Sequence, residues 1–560
     1  MNNWFTFINK KHYLHVLNTM KNTLLTLLSV ILLGTTFAQN EYLIFLTDKP
    51  IVSEQVLEKS ISERAKLHRK IQGIKYDIYD MPVSAEYLTQ LSVLGLVKNK
   101  SKWLNAVHFV SNLTEKEIKN QFTFIKDILK LNFSALPKTE TKKYAEISIS
   151  AVADSIDYGL SFNQLEITET ASCLHENGLK GDSVLIAVLD AGFPKLDTML
   201  AFKKMRQEGR IIDHWDFEDN ASYVYHKSTH GTYVSSIIGG VLDSLFVGSA
   251  PKADYAFYIT EIAAVEINLE EFNLVLGLER ADSIGADICS ISLGYRNFDT
   301  LQLSYGYAGM NGTTTVVAQG VTVARKKGLI ISVAAGNSGG NGAGSLGSPC
   351  DADSILCVGA INYDSTIAGF SSQGPTFDGR IKPDAVTIGR HCFFVRLDDS
   401  VRNGNGTSFA TPLMSGMVAC IKQAHPLRNN YQIVDAIKNS GHTSTSPDNI
   451  FGWGIPNACA IDSALTVLDS IALSINEVKS KLKIILFPNP VVNELTIKSE
   501  EIITSFQVFS LDGKILLNQK NSSNQFEYKL DFSELRKGVY FVRINGVGGR
   551  FVTRKVVLTF

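Results

Sequence analysis

The run VLIAVL at residues 184–189 is apolar at every position and is followed at once by Asp190, Ala191 and Gly192. A strand that is apolar on both faces fits a parallel sheet covered by helices on each side. Similar short, largely apolar runs follow at 254–259, 286–293, 329–335 and 355–361. The sequence therefore predicts a large α/β domain built on a parallel sheet.

Helical patterns separate these runs. Residues 269–283 carry apolar residues at helical spacing with charges between them, and residues 316–327 form a second helical segment. The second segment ends in Arg325-Lys326-Lys327 before Gly328. Cations in the last turn and a glycine after it are typical of a helix C-terminus with a left-handed cap.

Length and composition limit the classes of protein. The chain has 560 residues, which at roughly 150 residues per domain predicts about three to four folded units. Its 45% hydrophobic and 19% charged residues are typical of globular protein. With 54 basic and 55 acidic residues the net charge is −1, so no global field favours nucleic acid or an anionic membrane. We expect no nucleic-acid partner.

The N-terminus predicts export. Leu24–Leu33 is an apolar run broken only by Thr26 and Ser29, preceded by Lys21 and followed by small residues up to Ala38. This pattern is typical of a secretory signal peptide, expected over residues 1–38. The run is too short for the ~20 residues that span a bilayer, and no other stretch approaches that length. The sequence leaves open whether translation begins at Met1 or Met20.

Three further segments follow the signal. Residues 39–150 contain a strand pattern at 41–46 and an amphipathic helix pattern at 56–71, which predict a compact α/β unit. The polar stretch KTETKK at 138–143 is typical of a linker. The α/β domain is expected over 151–470, a linker over 471–480, and a small β-sandwich-like module over 481–560. The module shows alternating strands with turn signals, including Asp512-Gly513.

Three residues of the α/β domain fit a serine nucleophile with its base and orienting carboxylate. Asp190 follows an apolar strand, so its carboxylate is expected at the carboxyl edge of the sheet, where open α/β sheets bind ligands. His230 begins the helical sequence HGTYV. Ser408 lies in GNGTSFATP at residues 404–412, a glycine-rich loop that leads into an apolar helix.

The surroundings of Ser408 suit a developing negative charge. A helix N-terminus offers free backbone N–H groups and the positive end of the helix dipole. The apolar run at 329–335 leads into Gly336 and Asn337, which places a carboxamide donor at the same sheet edge. Such donors stabilise the oxyanion of acyl transfer.

At these residues the chain resembles the subtilisin-like serine peptidases, the subtilases. The order Asp190, His230, Ser408 is the subtilisin order, and subtilisin also uses an Asn donor. The resemblance covers about residues 154–465. It includes four further motifs: GSAP at 248–251, SLG at 292–294, FSSQGP at 370–375 and GWG at 452–454.

The resemblance implies a serine endopeptidase that acts on proteins or peptides. Asp190 would orient His230, His230 would act as general base and then acid, Ser408 would be acylated, and Asn337 would donate to the oxyanion. The substrate-binding residues implied by the family are Ser292, Leu293, Gly294, Ala335 and Gly336. One departure is Ala191, which stands where many members have Thr or Ser.

We expect no metal or cofactor. His226 and His230 are four apart, which on a helix would suit zinc, but Lys227 occupies the position of the HExxH glutamate. The acidic residues Glu261, Glu266, Glu270 and Glu271 leave two interpretations open. They would bind calcium or a basic substrate group, or they form a solvated helix start, which the preference of acids for N-termini favours.

The seven cysteines are too few for a disulfide scaffold and show no paired CxxC spacing. Their number is odd, so at least one thiol lacks an intrachain partner. Their pairing is open at this stage.

The family resemblance also gives the flanking units a meaning. Residues 39–150 occupy the place of the subtilase propeptide, which in the family assists folding and blocks the cleft. Residues 481–560 are similar to the C-terminal sorting domain of type IX secretion substrates, on the motifs FPNP at 487–490, LTI at 495–497, DGK at 512–514 and GVYFV at 538–542. This implies the type IX secretion machinery as a partner, and a location outside the cell or on the outer membrane surface.

Alternatives remain at two points. The C-terminal unit could be an ordinary β-sandwich adhesion module. The whole chain is an active secreted endopeptidase, a catalytically silent binding protein, or a processing protease dedicated to one partner. The intact Asp190, His230, Asn337 and Ser408 favour an active enzyme, which we expect to be monomeric. The sequence does not separate broad degradation from dedicated processing.

Overall fold

The computed structural model describes residues 39–131, 157–262, 265–479, 484–510, 514–520, 526–546 and 551–559. The expected signal peptide at 1–38, the polar stretch at 138–143 and the Asp512-Gly513 turn lie outside the described residues. The chain forms two compact units, residues 1–462 and 463–560.

The first part of the chain is an antiparallel sheet with short helices. Its strands are Asn40–Leu46 (β1), Leu96–Ser101 (β2), Ala106–Ser111 (β3) and Ile125–Leu131 (β4), in the order β2-β3-β1-β4. Its helices are Glu54–Glu58 (α1), Glu63–Gln72 (α2), Ala85–Ser92 (α3) and Glu115–Lys119 (α4).

The single helix expected over residues 56–71 is wrong. The first helix ends at Glu58, and a second begins after Ser62, whose side chain accepts a hydrogen bond from the N–H of Ala65 at 3.1 Å. A serine that bonds the backbone in this way favours an N-cap over a helix interior.

The next strands build the large sheet and two small hairpins. They are Leu185–Asp190 (β5), Ile211–Asp216 (β6), Val241–Leu242 (β7), Phe246–Val247 (β8), Asp254–Ile259 (β9), Ile288–Ile291 (β10), Ile330–Ala334 (β11), Leu356–Ile361 (β12), Ala385–Ile388 (β13), Cys392–Val395 (β14) and Val401–Gly404 (β15). Seven of them form a sheet in the order β13-β12-β11-β10-β5-β9-β6. Every neighbouring pair in it is parallel.

The five apolar runs seen in the sequence are the five inner strands of this sheet. Both edge strands escaped prediction. β6 has the sequence IIDHWD, in which polar residues interrupt the apolar pattern, and β13 is only four residues long. Most residues of β6 are only partly buried, so its sequence is under weaker apolar constraint, whereas the four residues of β13 are all buried.

Helices cover the sheet. They are Phe162–Glu166 (α5), Lys203–Gln207 (α6), His230–Gly239 (α7), Asn268–Ile284 (α8), Val316–Lys326 (α9), Thr407–Ala424 (α10), Asn430–Ser440 (α11) and Ala458–Lys479 (α12), with a π-helical segment at Thr170–His175. α8 and α9 confirm the two predicted helices, and Gly328 after α9 has the expected left-handed φ of +90°. The linker expected at 471–480 is helical as far as Lys479.

The core lies between the sheet and its helices. α10 is buried from Thr407 to Lys422, and the Ser415 hydroxyl on it donates to Ser290 of β10 at 2.9 Å. On the other face, Phe272 of α8 and Val317 of α9 share one apolar cluster with Leu43 of β1. The N-terminal sheet therefore shares a core with these helices, and its strand β2 contacts α8.

Two disulfides tie parts of the α/β domain together. Cys173 pairs with Cys459 and Cys350 pairs with Cys357. Cys289, Cys392 and Cys420 are free and buried. The expectation of at least one unpaired thiol is confirmed.

The second compact unit contains two antiparallel sheets. Its strands are Ile484–Phe487 (β16), Glu494–Ser499 (β17), Ile503–Phe509 (β18), Ile515–Lys520 (β19), Glu527–Asp531 (β20), Gly538–Gly546 (β21) and Phe551–Leu558 (β22). The sheet orders are β16-β17-β20 and β19-β18-β21-β22. Leu495, Val508 and Val542 lie in the core that both sheets share. The predicted all-β module is confirmed.

Among the described helices, none combines the length and the apolar character that a membrane span requires.

Candidate active site

The sheet order explains why the site residues meet. β11, β10 and β5 are adjacent parallel strands, so their carboxyl ends share one edge. Asp190 is the last residue of β5, Ser292 follows β10, and Asn337 follows β11. Residues separated by up to about 150 positions in sequence are thereby brought to one place.

Asp190 and His230 form a bonded pair. The imidazole Nδ1 of His230 lies 2.9 and 3.0 Å from the two carboxylate oxygens of Asp190, which is fully buried. Because Nδ1 faces an acceptor, it carries the proton in the neutral ring and leaves Nε2 free to accept one. Ala191 offers no hydroxyl, but its backbone N–H donates to Asp190 at 2.8 Å.

Glycine allows this pair to approach so closely. A Cβ on Gly231 would lie 2.3 Å from the carbonyl oxygen of Gly192 and 3.0 Å from Cβ of Asp190. His230 is the first residue of α7, so the helix that starts there directs the imidazole towards the end of β5.

Ser408 is the second residue of α10, and Gly406 is the N-cap. Ser408 therefore lies within the first turn of the helix and does not cap it. Its carbonyl is also unusual, because the residue four positions later is Pro412, which has no N–H to donate. The Ser292 hydroxyl donates to this carbonyl oxygen at 2.9 Å instead. Ser292 thus satisfies a buried acceptor at the first turn of the helix.

Asn337 is oriented by Thr407. Its carboxamide oxygen accepts the backbone N–H of Thr407 at 2.9 Å and the Thr407 hydroxyl at 3.1 Å. That hydroxyl in turn accepts the N–H of Gly336 at 3.1 Å. Since a backbone N–H only donates, the oxygen of Asn337 faces Thr407, and its NH₂ group is left for another acceptor.

A cleft of about 540 Å³ unites most of these groups. Asn337 and Ser408 line it together with all five residues that the sequence assigned to substrate binding: Ser292, Leu293, Gly294, Ala335 and Gly336. The ring of His230 lies 6.4 Å from that of Phe409, the neighbour of Ser408. Within the described residues, His230 is bonded to Asp190 but not to the Ser408 hydroxyl. Such bonds are often open without substrate.

The cleft also has two charged side chains, of which the sequence pointed to Glu266 as part of the acidic cluster and gave no role to Arg296. Glu266 and Arg296 both line it, and the guanidinium of Arg296 donates to the carbonyl of Gly344 at 2.7 Å. Arg296 follows the SLG motif by only two positions. That proximity was the one available signal.

Comparisons with known proteins agree with this geometry. Residues 181–454 match the subtilase family of S8 peptidases. They belong to the subtilase family. Residues 41–146 match the S8 peptidase propeptide domain of Bacteroidota, and residues 485–559 match the secretion system C-terminal sorting domain. The chain is a serine-type endopeptidase with a propeptide and a type IX sorting domain.

Three known bacterial proteases are similar to part of this chain. An alkaline protease of Alkalihalobacillus alcalophilus is 27% identical over 56% of this chain and 71% of its own length. Subtilisin E of Bacillus subtilis is 27% identical over 72% of this chain and 91% of its own length. Subtilisin Savinase of Lederbergia lenta is 28% identical over 55% of this chain and 98% of its own length.

Two solved structures give weaker similarity. MycP1 with its N-terminal propeptide removed has a TM-score of 0.43 at 23% identity, covering 54% of this chain and 96% of its own. The self-cleaved protease domain of PatA has a TM-score of 0.41 at 21% identity, covering 51% and 98%.

The acidic cluster of the subtilase is not a solvated helix start. Glu261, Glu270 and Glu271 are buried. Glu270 accepts the N–H groups of Ile262 and Ile267, both at 2.9 Å. Burial raises the pKa of Glu261 to about 8, that of Glu270 to about 10 and that of Glu271 to about 7. The sequence pattern identified the acidic residues, but it did not show that residues distant in the sequence, such as Tyr295 and Tyr305, bury them.

One group of described side chains has the spacing of a metal site. Asp216, Asp219 and His226 place ligand atoms within 4.8 Å of one another. The ammonium of Lys227 already lies 2.6 Å from Asp216 and 2.9 Å from Asp219. His226 precedes α7, so the helical spacing of His226 and His230 does not occur.

Proposed function

We propose that this subtilase hydrolyses peptide bonds through an acyl-enzyme on Ser408. The observation that carries the proposal is the Asp190–His230 pair, bonded at 2.9 and 3.0 Å, beside a cleft lined by Ser408 and Asn337. These are the parts that acyl transfer needs: a nucleophile, an oriented base and an oxyanion donor.

The proposed steps use groups of the protein only. Nε2 of His230 takes the proton of the Ser408 hydroxyl as its oxygen attacks the substrate carbonyl. Asp190 keeps the imidazole in the correct tautomer and stabilises the imidazolium that forms. His230 then gives the proton to the leaving amine, and water attacks the ester by the same sequence in reverse.

The proposed oxyanion site has two sources of donors. The NH₂ group of Asn337 is one, because Thr407 occupies its oxygen. The backbone N–H of Ser408 near the start of α10 is the other, aligned with the helix dipole. Charge that appears only in the transition state is stabilised selectively by such preorganised donors.

The proposed substrates are proteins or peptides in extended conformation. Ser292, Leu293 and Gly294 follow β10 and line the cleft beside Ala335 and Gly336. Backbone at the end of a strand can pair with an extended peptide as an added strand, while the pocket receives a side chain. The proposed enzyme acts as a monomer.

We further propose that residues 39–150 inhibit the peptidase domain, taken as 151–470, until they are cleaved. Buried ion pairs join the two: Arg69 bonds Asp282 of α8 at 2.5 Å and Asp80 at 2.8 Å. Lys327 after α9 bonds Asp80 at 2.6 Å and Asp77 at 2.7 Å. Paired charges of this kind demand good geometry, which supports a specific docked state.

Export is the last part of the proposal. The sorting-domain match at 485–559 supports passage through the type IX secretion machinery, with residues 481–560 as the signal. The expected location is the medium or the outer surface of the outer membrane.

The test is to incubate the secreted protein with denatured casein and with a fluorophosphonate probe, and to map the labelled residue by mass spectrometry. We expect casein cleavage and a single adduct on Ser408, and neither with Ser408→Ala. Casein cleavage with the adduct on another serine would contradict the assignment.

A further inference from the structure

The loop before α7 contains a partly buried cation that the catalytic steps do not use. Nζ of Lys227 lies 2.6 Å from Asp216, 2.6 Å from Glu218 and 2.9 Å from Asp219. Asp216 is fully buried at the end of edge strand β6, and its other carboxylate oxygen accepts the N–H groups of Glu218 and Asp219 at 2.9 and 3.0 Å. A buried carboxylate requires a cation or several donors, and Lys227 supplies the cation.

Nearby groups show that the position suits a positive charge. The imidazole Nε2 of His226 also contacts Asp216, at 3.1 Å. Asp216, Asp219 and His226 together have the spacing of metal ligands, and the ammonium of Lys227 contacts two of them. Although burial lowers the pKa of Lys227, its hydrogen bonds to the three carboxylates raise it overall, so the ammonium stays charged.

The backbone of the same residue pairs with the segment that follows Asp190. Lys227 bridges Gly192 in an antiparallel pairing, and the N–H of Ser228 donates to the carbonyl of Ala191 at 3.2 Å. The two segments are so close that a Cβ on Gly192 would lie 2.4 Å from the carbonyl oxygen of His226. One of these segments follows Asp190 directly, and the other precedes His230.

Two details suggest that the ammonium holds this pairing in place. Lys227 has a left-handed backbone with φ +65°, which costs energy for a residue with a side chain. One residue further on, the Ser228 hydroxyl accepts the N–H of His230 at 3.3 Å. The loop conformation therefore needs a stabilising contact. Because Ser228 bonds His230, the position of the loop also affects the position of the first residue of α7.

We propose that Lys227 is a positioning residue, an internal cation that anchors the loop between β6 and Gly192 and thereby sets the distance between Asp190 and His230. Its ammonium compensates the negative charge of the carboxylates, as a metal ion bound by Asp216, Asp219 and His226 could do. This inference rests on the proposed catalytic roles of Asp190 and His230.

The test compares variants of the full-length protein after maturation, with kcat expressed per active site titrated to completion. Lys227→Met removes the charge and keeps the length of the side chain. Lys227→Gly removes the whole side chain, and glycine readily adopts the φ of +65°. Lys227→Arg keeps the charge. Lys195→Met is the matched control, because Lys195 has a similar φ of +60°, is exposed, and has no ion pair within the described residues.

We expect kcat per active site to fall about tenfold or more in Lys227→Met and Lys227→Gly, with KM changed less than twofold. Lys227→Arg and Lys195→Met should stay within about twofold of the natural protein. Millimolar CaCl₂ should raise the kcat of Lys227→Gly, because Ca²⁺ can bind the carboxylates that Lys227 no longer contacts. It should leave the kcat of the natural protein unchanged.

Two results would overturn the inference. One is a natural kcat per active site in Lys227→Met, even if its melting temperature is lower, because then Lys227 only stabilises the fold. The other is Lys227→Arg as slow as Lys227→Met with no response of Lys227→Gly to calcium, which assigns the effect to shape instead of charge. Ser408→Ala, measured beside them, tests the proposed function separately: if it cleaves as fast as the natural protein, the catalytic assignment fails.

Discussion

The hydroxyl of Ser292 donates to the backbone carbonyl of Ser408 at 2.9 Å, where Pro412 leaves that carbonyl without its helical N–H. A residue at the end of a sheet strand thus fixes the first turn of the helix that carries the nucleophile. The contact explains why a serine at this edge matters for more than binding substrate.

Ser292→Ala should therefore lower both stability and kcat. An unsatisfied buried carbonyl costs about 1–3 kcal/mol, and a misplaced nucleophile that loses about 1.4 kcal/mol of transition-state stabilisation reacts tenfold more slowly. The matched control is Ser290→Ala. Ser290 lies in β10, the strand that Ser292 follows, and the substitution removes its hydroxyl bond to Ser415 of α10. Denaturant unfolding and kcat should separate them: both lose stability, and only Ser292→Ala loses kcat.

Asn337 gives a second pair of variants. Asn337→Ala should lower kcat by about a hundred- to a thousandfold with little change in KM, because the oxyanion exists only in the transition state. It should also lose stability, since the Thr407 N–H loses its acceptor. Asn337→Asp keeps an oxygen for Thr407 and removes the donor, so it should lose kcat at near-natural stability. A fully active Asn337→Asp would show that Asn337 serves only to orient Thr407.

Ser408→Ala should abolish turnover with little change in melting temperature, because Gly406 and not Ser408 caps α10. His230→Ala should be comparably slow. The two groups act as one unit, so the double variant should be little slower than either single variant. Kinetics on a chromogenic peptide measure this, and additive losses would mean that the two residues act independently.

Stability should fall as pH rises through the range in which Glu261 titrates. Burial raises its folded pKa from the ordinary 4.5 to about 8, so its stabilising contribution is complete below pH 4.5 and is lost as the pH approaches 8. The slope is at most about 1.4 kcal/mol per pH unit for this proton. Urea unfolding can be measured from pH 5 to 8 for Ser408→Ala and for the double variant Ser408→Ala with Glu261→Gln. The free energy of unfolding should depend less on pH in the double variant.

The control for this measurement is Glu63→Gln, whose carboxylate is exposed in the first turn of α2. It should leave the pH dependence unchanged. An equally steep curve in Glu261→Gln would show that Glu261 does not carry the effect.

Maturation should remove both ends of the chain. We expect the mature protein to begin between about residues 138 and 154 and to end before about residue 485. Terminal sequencing of the secreted form tests the two ends separately. An active enzyme that begins at Gln39 would refute inhibition by residues 39–150, and released protein that retains Phe560 would refute a removable sorting signal.

Deletion of residues 481–560 tests the sorting signal in cells. The truncated protein should accumulate in the periplasm, because the signal for the outer membrane is gone. Export at the natural level without this segment would favour an adhesion module instead.

Much of the site could be predicted because each of its residues lies in a recognisable local sequence pattern. Asp190 follows an apolar strand, Asn337 follows another, and Ser408 begins a helix after glycines, so each local pattern places its side chain at an element end. Parallel strands end at one edge, which is enough to predict that these residues meet. The family resemblance implied Ser292–Gly294 and Ala335–Gly336 as substrate-binding residues, and they line the cleft.

Other features depend on which surfaces come together. The acids Glu261, Glu270 and Glu271 look like a solvated helix start, yet segments far away in sequence cover them: Tyr295 bonds Glu261, and Tyr305 bonds Glu271. A helix pattern shows which residues share a face but not what packs upon it. Burial then reverses the expected charge state.

The parallel α/β domain, the order of its flanking units and the catalytic candidates Asp190, His230, Asn337 and Ser408 could be predicted from local patterns, because strand hydrophobicity and motif residues are local properties. The support of Ser408 by Ser292, the orientation of Asn337 by Thr407 and the place of Lys227 among three carboxylates are visible only in the folded chain. Each of these contacts joins groups from segments that are separate in the sequence, and its distance depends on how those segments pack.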